Sequence, residues 1–206
     1  MKVIAIGANG TIGRAVVSRL QENHDVIAVG YSNGEYRIDI EDIASIRAMY
    51  EKVGKVDAIV SMVGNGELGT LKDMPESGYR TVLNNKVMGQ VNLARIGLEY
   101  LNDGGSVTLT SGQASNHPMP QTSAIAMGVA AINAFVGSAA TELVDGKRIN
   151  AVSPAMVKET MDQWGIDSRS GIPASDVASY YAACIEGSHN GEVLDAVLGS
   201  ADQRFN

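Results

Sequence analysis

The feature that most constrains this chain is an apolar run that enters a turn built on three regularly spaced glycines. Val3–Ile6 has the composition of a buried strand, and Gly7, Gly10 and Gly13 follow it in the pattern Gly-x-x-Gly-x-x-Gly. A helical pattern then covers 11–22. Glycine lets the backbone bend sharply and lets an anion approach main-chain N–H groups, and a helix N-terminus adds partial positive charge. The order strand, glycine turn, helix therefore predicts a site for the pyrophosphate of a dinucleotide.

Composition and charge narrow the class of protein. The chain has 206 residues, of which 45% are hydrophobic and 19% charged, which suits one α/β domain with a substantial core. The net charge of -7 argues against a nucleic-acid or anionic-membrane partner, because both require a basic surface. The single cysteine, Cys184, cannot form an intramolecular disulfide, and no apolar stretch is long enough to span a bilayer, so we expect a cytoplasmic protein. The three histidines are scattered, and we expect no metal site.

Short β-rich runs alternate with longer helical patterns along the chain. The candidate strands are Val3–Ile6, Val26–Val29, Tyr36–Ile38, Ala58–Val63, Ser106–Thr110, Ile149–Val152 and Val193–Val197. The candidate helices cover 11–22, 42–53, 77–101, 122–144 and 174–186, and the longest irregular stretch is 154–173. This alternation predicts an α/β fold, a single Rossmann-like domain over 1–206. We expect a doubly wound parallel sheet of about seven strands with helices on both faces.

Several further segments, taken in chain order, form a recognisable set. They are the glycine turn at 7–13, Asp39 in Ile-Asp-Ile, Ser-Met-Val-Gly at 61–64, Gly-Ser-Val-Thr-Leu-Thr-Ser at 105–111, Arg-Ile-Asn-Ala-Val-Ser-Pro at 148–154 and Gly-Glu-Val-Leu at 191–194. Together they resemble the short-chain dehydrogenase/reductase family, with the glycine spacing of its atypical members. The resemblance covers nearly the whole chain and implies a nicotinamide dinucleotide cofactor. The residues expected to bind it are Gly7, Asn9, Gly10, Thr11, Ile12, Gly13, Tyr31, Ser32, Asp39, Ile40, Val63, Gly64 and Pro154.

The proton-transfer dyad of that family, Tyr-x-x-x-Lys, is missing. It is expected near Ala124, some thirteen residues after Ser111, where the chain reads Ser-Ala-Ile-Ala-Met-Gly-Val-Ala over 123–130. Carbonyl reduction needs a hydride and a proton, and the family's tyrosine supplies the proton. The candidate catalytic residues are Ser111, at the position of the family's catalytic serine, and Lys86 on the preceding helix. For Lys86 the alternative is a solvated helix lysine, and for His117, a further candidate acid, it is a loop histidine without a catalytic role.

The glycine turn beside the missing dyad leaves more than one function open. The first is an NADP-linked oxidoreductase that acts on a carbonyl or alcohol. The second is a dinucleotide-binding sensor or regulatory subunit that has lost turnover. Another reaction on the same scaffold, such as isomerisation, also stays open, because a fold does not fix a function.

The end of the second strand favours NADP over NAD. NAD-binding folds place an acidic residue there, against the ribose 2′-hydroxyl, but this chain reads Val-Gly-Tyr-Ser-Asn over 29–33. Tyr31 and Ser32 can donate hydrogen bonds to a 2′-phosphate, and Arg14 can add charge. A plain polar turn is the alternative, and Glu35 keeps NAD open.

The expected partners are a small-molecule substrate and other copies of the same chain. The helix over 122–144 is rich in small residues, and in the family that this chain resembles the corresponding helix often packs between subunits. We therefore expect a homodimer or homotetramer. Close packing of this helix on its own sheet is the alternative.

Overall fold

Seven parallel strands form one sheet in the residues that this computed structural model describes, 1–32 and 36–199. The strands are β1 (Lys2–Ile6), β2 (Asp25–Gly30), β3 (Tyr36–Arg37), β4 (Val56–Ser61), β5 (Leu101–Thr110), β6 (Arg148–Pro154) and β7 (Val193–Ala196). Their spatial order is β3-β2-β1-β4-β5-β6-β7, and every neighbouring pair is parallel. The strand order reverses between β1 and β4, which opens a crevice at the carboxyl ends of these two strands. The predicted α/β fold with a doubly wound parallel sheet is confirmed.

Helices cover both faces of this sheet. They are α1 (Thr11–Leu20), α2 (Ile43–Val53), α3 (Glu76–Thr81), α4 (Gln90–Gly97), α5 (Ser123–Ala139), α6 (Lys158–Gln163) and α7 (Ala174–Glu186), with a π-helical segment (Val82–Gly89) between α3 and α4 and a 3₁₀ turn (Gln113–Ser115) after β5. Successive residues of β1 face opposite sides: Val3 packs with α1 and α7, whereas Ile4 and Ile6 pack with α2, α4 and α5. Both faces are therefore apolar, as in other parallel sheets. Among the helices of 1–32 and 36–199, none is long and apolar enough to cross a membrane.

The prediction of one regular helix over 77–101 is wrong, because the helix is interrupted and ends earlier than predicted. The π-helical segment interrupts it, α4 ends at Gly97, and the chain re-enters the sheet at Leu101, which pairs with Val56. β5 therefore begins at Leu101 rather than at Ser106. The first part of the strand contains exposed polar residues and a glycine at position 104 with φ of +74°. Its composition is therefore that of a turn.

Two other boundaries differ from the prediction for local reasons. α5 ends at Ala139 rather than at 144, because the Thr141 hydroxyl donates to the carbonyl of Ser138 (2.7 Å) and the chain then turns through left-handed backbone at 145 and 146. The stretch 154–173 is not irregular throughout. It contains α6, and an isolated parallel bridge joins Val157 to Ile172.

Arg148, at the start of β6, fastens the end of α7 to the sheet. Its guanidinium donates to the carbonyls of Cys184 (2.9 Å), Ile185 (3.1 Å) and His189 (2.8 Å). Because carbonyls at a helix end lack intrahelical partners, we expect Arg148→Lys to lower the free energy of unfolding by about 1–2 kcal/mol. Urea denaturation measures the change, and Arg169→Lys, at an exposed loop position, is the matched control. Equal losses in the two variants would contradict this role.

Candidate functional site

The glycine turn after β1 is tight enough to exclude side chains at two of its three glycines. Gly7 has φ of +88°, and a Cβ there would lie 2.7 Å from the carbonyl oxygen of Met62. A Cβ on Gly13 would lie 2.0 Å from the carbonyl oxygen of Gly7. Gly10 precedes α1 and, having no side chain, makes no side-chain cap bond to the first-turn amides of that helix. The turn is therefore a bare cradle of main-chain atoms that fits a phosphate group.

A cavity of about 620 Å³ lies in front of this cradle, at the carboxyl ends of β1, β2 and β4. Nine of the residues predicted to bind a cofactor line it: Gly7, Asn9, Gly10, Tyr31, Ser32, Asp39, Ile40, Val63 and Gly64. The other lining residues are Gly30, Ile38, Glu41, Met62, Asn65 and Asn85. The structure thus brings four separate sequence segments, and part of the π-helical segment, to one cavity.

Four of the predicted cofactor residues are not among those that line the cavity. Thr11, Ile12 and Gly13 form the first turn of α1, where Gly13 is buried against the glycine turn. Pro154 ends β6, on the other side of β5. Glu35, the residue that keeps NAD open, lies outside the described residues.

The residues predicted to contact the adenine and the 2′-phosphate, Asp39, Tyr31 and Ser32, are all exposed. The Asp39 carboxylate accepts a hydrogen bond from the main-chain N–H of Glu41 (3.0 Å), and its own N–H donates to the Ser45 hydroxyl (2.9 Å). These bonds fix the loop after β3 at the cavity wall. Tyr31 and Ser32 are exposed at the end of β2, so both hydroxyl groups are open to a ligand or to water.

A chain of hydrogen bonds across the cavity was not predicted from the sequence. The Asn85 side chain donates to the Glu41 carboxylate (2.7 Å) and accepts from the main-chain N–H of Asn65 (2.8 Å). It therefore links the loop after β3 to the loop after β4. The only sequence signal for it is a pair of asparagines at 84 and 85 in a helical pattern, which does not indicate a partner.

Ser111 lies directly after β5 and is buried. Its hydroxyl contacts two acceptors on α5, the side-chain oxygen of Asn133 (2.5 Å) and the carbonyl oxygen of Val129 (3.2 Å). The hydroxyl hydrogen is thus directed into the protein. His117, the other candidate acid, is exposed in the turn after the 3₁₀ turn, with its main-chain N–H bonded to Gln113.

Lys86 lies in the π-helical segment and is 7% exposed, so the alternative of a solvated helix lysine is wrong. Its ammonium group donates to the carbonyl oxygens of Ser111 (3.2 Å) and Thr110 (3.5 Å) at the end of β5. The structure therefore brings the two candidate catalytic residues together. Burial lowers the pKa of Lys86 from 10.5 to about 8, because desolvation disfavours the charged form.

Gln90, fully buried at the start of α4, holds the end of β5 and the π-helical segment together. Its amide nitrogen donates to the carbonyls of Thr110 (2.8 Å) and Lys86 (3.1 Å). Its amide oxygen accepts from the Thr110 N–H (2.8 Å) and the Ser61 hydroxyl (3.1 Å). Every polar atom of this side chain is satisfied, so the network fixes the backbone from which Lys86 projects.

Comparisons with known proteins agree with this geometry. A family model described as enoyl-(acyl carrier protein) reductase matches residues 3–182. An uncharacterised oxidoreductase of Methylorubrum extorquens is 26% identical over 179 residues, which is 75% of this chain and 72% of that protein. The crystal structure of the protein lin1944 from Listeria innocua superposes with a TM-score of 0.91 at 39% identity, covering 95% of this chain and 98% of that one. A small-chain dehydrogenase crystallised in complex with NADPH gives a TM-score of 0.88 at 28% identity, covering 98% of both chains.

The match over most of the chain, together with the sheet order and the glycine cradle, defines the class of protein. The chain belongs to the short-chain dehydrogenase/reductase family, as the sequence motifs predicted.

Proposed function

We propose that the protein is an NADP(H)-dependent oxidoreductase that reduces a carbonyl group or oxidises an alcohol. The observation that carries this proposal is the cavity in front of the glycine cradle, which is lined by nine of the residues predicted to bind the cofactor. Its volume of about 620 Å³ suits a ligand of the size of a nucleotide. When bound, the cofactor supplies the hydride, and the residues of the chain hold it and handle the proton.

Separate parts of the site would hold separate parts of the dinucleotide. The first-turn amides at Thr11, Ile12 and Gly13 face the pyrophosphate, with Gly7, Asn9 and Gly10 forming the cradle beneath it. Asp39 and Ile40 flank the adenine, and Val63 and Gly64 continue toward the nicotinamide. Pro154 borders the same end of the site from β6.

The preference for NADP over NAD rests on the end of β2. Within the described residues this end presents Tyr31 and Ser32, two hydroxyl donors, and no carboxylate. Arg14 lies nearby in the first turn of α1, where its guanidinium donates to the carbonyl of Asn9 (2.6 Å), a cavity residue. Donors and a cation suit a 2′-phosphate better than a free 2′-hydroxyl.

We propose that Ser111 and Lys86, the two candidate catalytic residues, form the reactive end of the site. Both lie at the carboxyl end of β5, next to the strand whose following loop contributes Val63 and Gly64 to the cavity. A small-molecule carbonyl or alcohol would bind on this side, where the loop after β6 and the exposed side chains of Met119 and Met156 supply apolar surface.

The same protein is proposed to be a cytoplasmic single-domain homodimer or homotetramer, with half-exposed Leu83, Met88 and Met127 among its contact residues.

Ligand-dependent stability tests the proposal. With NADPH at about 100 times its Kd, we expect the free energy of unfolding to rise by about 2.7 kcal/mol, because only the folded state forms the cavity. Thermal-shift titrations with NADPH, NADP, NADH and NAD measure this, and the NADP pair should give the lower Kd. Consumption of NADPH, followed by absorbance with a panel of carbonyl compounds, then tests turnover. If none of the four nucleotides stabilises the protein, it is not an oxidoreductase of this kind. If a nucleotide binds but no carbonyl compound is turned over, the protein is a sensor.

A further inference from the structure

We propose that Lys86 is the proton donor of this reaction and that Ser111 is a positioning residue. This inference rests on the proposed oxidoreductase function. It assigns the acid to the π-helical segment rather than to α5, where the missing dyad would stand. Three observations carry it: the route of the lysine side chain, the direction of the Ser111 hydroxyl, and the absence of a charged group among the described contacts of the ammonium.

The Lys86 side chain passes between two glycines from distant parts of the chain. A Cβ on Gly64 would lie 2.9 Å from the lysine Cγ, and a Cβ on Gly128 would lie 3.6 Å from its Cδ. Gly64 lines the cavity, and Gly128 belongs to the stretch of α5 that lacks the tyrosine and lysine. The glycines thus leave a channel through which the amine of Lys86 reaches the end of β5.

The Ser111 hydroxyl has no hydrogen to give to a substrate. It has one O–H, and both described acceptors of that group, Asn133 and Val129, are on α5. The oxygen can still accept a hydrogen bond. Ser111 therefore positions the Lys86 ammonium: its hydroxyl is anchored to α5, and its main-chain carbonyl accepts from that ammonium.

The ammonium of Lys86 has a proton available. It has three N–H groups, and the described contacts direct two of them to the carbonyls of Thr110 and Ser111. Gly64 and Gly128 flank the aliphatic stem of Lys86, and the described acceptors of its ammonium are main-chain carbonyls. Among the described hydrogen bonds, the Tyr181 hydroxyl bonds to the hydroxyl of Thr110, whose carbonyl accepts from Lys86, and the Glu41 carboxylate bonds to Asn85, the residue before Lys86. Burial raises the pKa of Tyr181, so that group stays neutral.

The proton balance of the step is simple. NADPH, when bound, would supply a hydride to the substrate carbon and become NADP⁺. The electron pair of the carbonyl π bond moves to the oxygen, which forms an O–H bond with a proton from the Lys86 ammonium. The neutral amine then takes a proton from water. A pKa near 8 keeps the amine protonated at pH 7 and makes it a better acid than an exposed lysine.

Lys86→Met tests the inference, because it keeps the stem and removes the amine. We expect kcat for carbonyl reduction to fall by about 10²–10⁴, the usual contribution of a positioned acid, while the Kd for NADPH from thermal shift stays within threefold. Lys147→Met, the same change at a partly buried lysine paired with Asp103, is the matched control and should keep full activity. Reduction by Lys86→Met within tenfold of the unaltered protein overturns the role of Lys86 and leaves the proposed function standing.

The pH dependence separates a proton donor from a merely structural lysine. In the unaltered protein, kcat should fall as the pH rises through about 8, and Ser111→Ala should lower kcat without moving that midpoint. NMR of isotope-labelled lysine side chains supplies a readout that needs no turnover. One lysine should titrate near pH 8, and its signal should vanish in Lys86→Arg. If every lysine titrates near 10.5, or if Ser111→Ala abolishes the midpoint, the inference is wrong. If NADPH binds but no carbonyl is reduced, the proposed function fails, and this role with it.

Discussion

Gly13→Ala is expected to destabilise the protein by at least about 3 kcal/mol and to abolish the stabilisation by NADPH. The new Cβ would lie 2.0 Å from the carbonyl oxygen of Gly7 and 2.9 Å from the carbonyl carbon of Ala8. Both are main-chain atoms, which cannot rotate away, so the glycine turn or α1 has to move. Alanine is the better helix former by about 1 kcal/mol, so intrinsic propensity predicts the opposite sign. Urea denaturation gives the stability, and a thermal-shift titration gives the binding.

Gly10→Ala separates the two effects. Gly10 has φ of -72°, which any residue adopts, and a Cβ there would lie 3.4 Å from the Gly7 carbonyl oxygen. We expect a change in stability of less than about 1 kcal/mol, but weaker NADPH binding, since the methyl group would enter the cavity lining. If Gly13→Ala is as stable as Gly10→Ala, the tight packing at the turn is wrong. If Gly13→Ala keeps full NADPH affinity, the phosphate cradle lies elsewhere.

The sequence predicted the sheet because parallel strands covered on both faces leave a strong local signal. β1 is almost entirely apolar between the chain start and the glycine turn. The glycine cradle was equally predictable, because its geometry depends on residues that are close in sequence.

The π-helical segment and the burial of Lys86 could not be predicted from local pattern. A lysine between Asn85 and Val87 in a helical stretch ordinarily points to solvent, and here burial depends on glycines at positions 64 and 128. These two residues come from other elements and meet the lysine only in the folded chain. The hydrogen bonds of Asn85 to Glu41 and to Asn65 were missed for the same reason. The sequence thus predicted which residues line the cavity more readily than it predicted their hydrogen-bond partners.

Burial of a charged amine also has a consequence for stability that can be measured without substrate. The pKa of Lys86 in the folded protein is about 8, against 10.5 for an ordinary lysine, so at neutral pH the folded state holds a proton that it binds weakly. Below pH 8 the folded protein bears the full free-energy cost of keeping this buried amine charged, which is about 3 kcal/mol. Between pH 8 and 10.5 the unfolded state binds more protons than the folded state, so the free energy of unfolding rises with pH. Above 10.5 the cost is gone.

The unaltered protein is therefore expected to gain about 2 kcal/mol of stability relative to Lys86→Met between pH 7 and pH 9.5. Urea denaturation at several pH values measures the free energy of unfolding of both proteins. Subtracting one value from the other cancels the titration of every other group that the two proteins share. The upper limit stays below pH 10, because burial raises the pKa values of Tyr50 and Tyr181 and their ionisation in the unfolded chain then lowers stability. A difference between the unaltered protein and Lys86→Met that is flat with pH would mean that Lys86 is solvated, and neither its burial nor its role as an acid would survive that result.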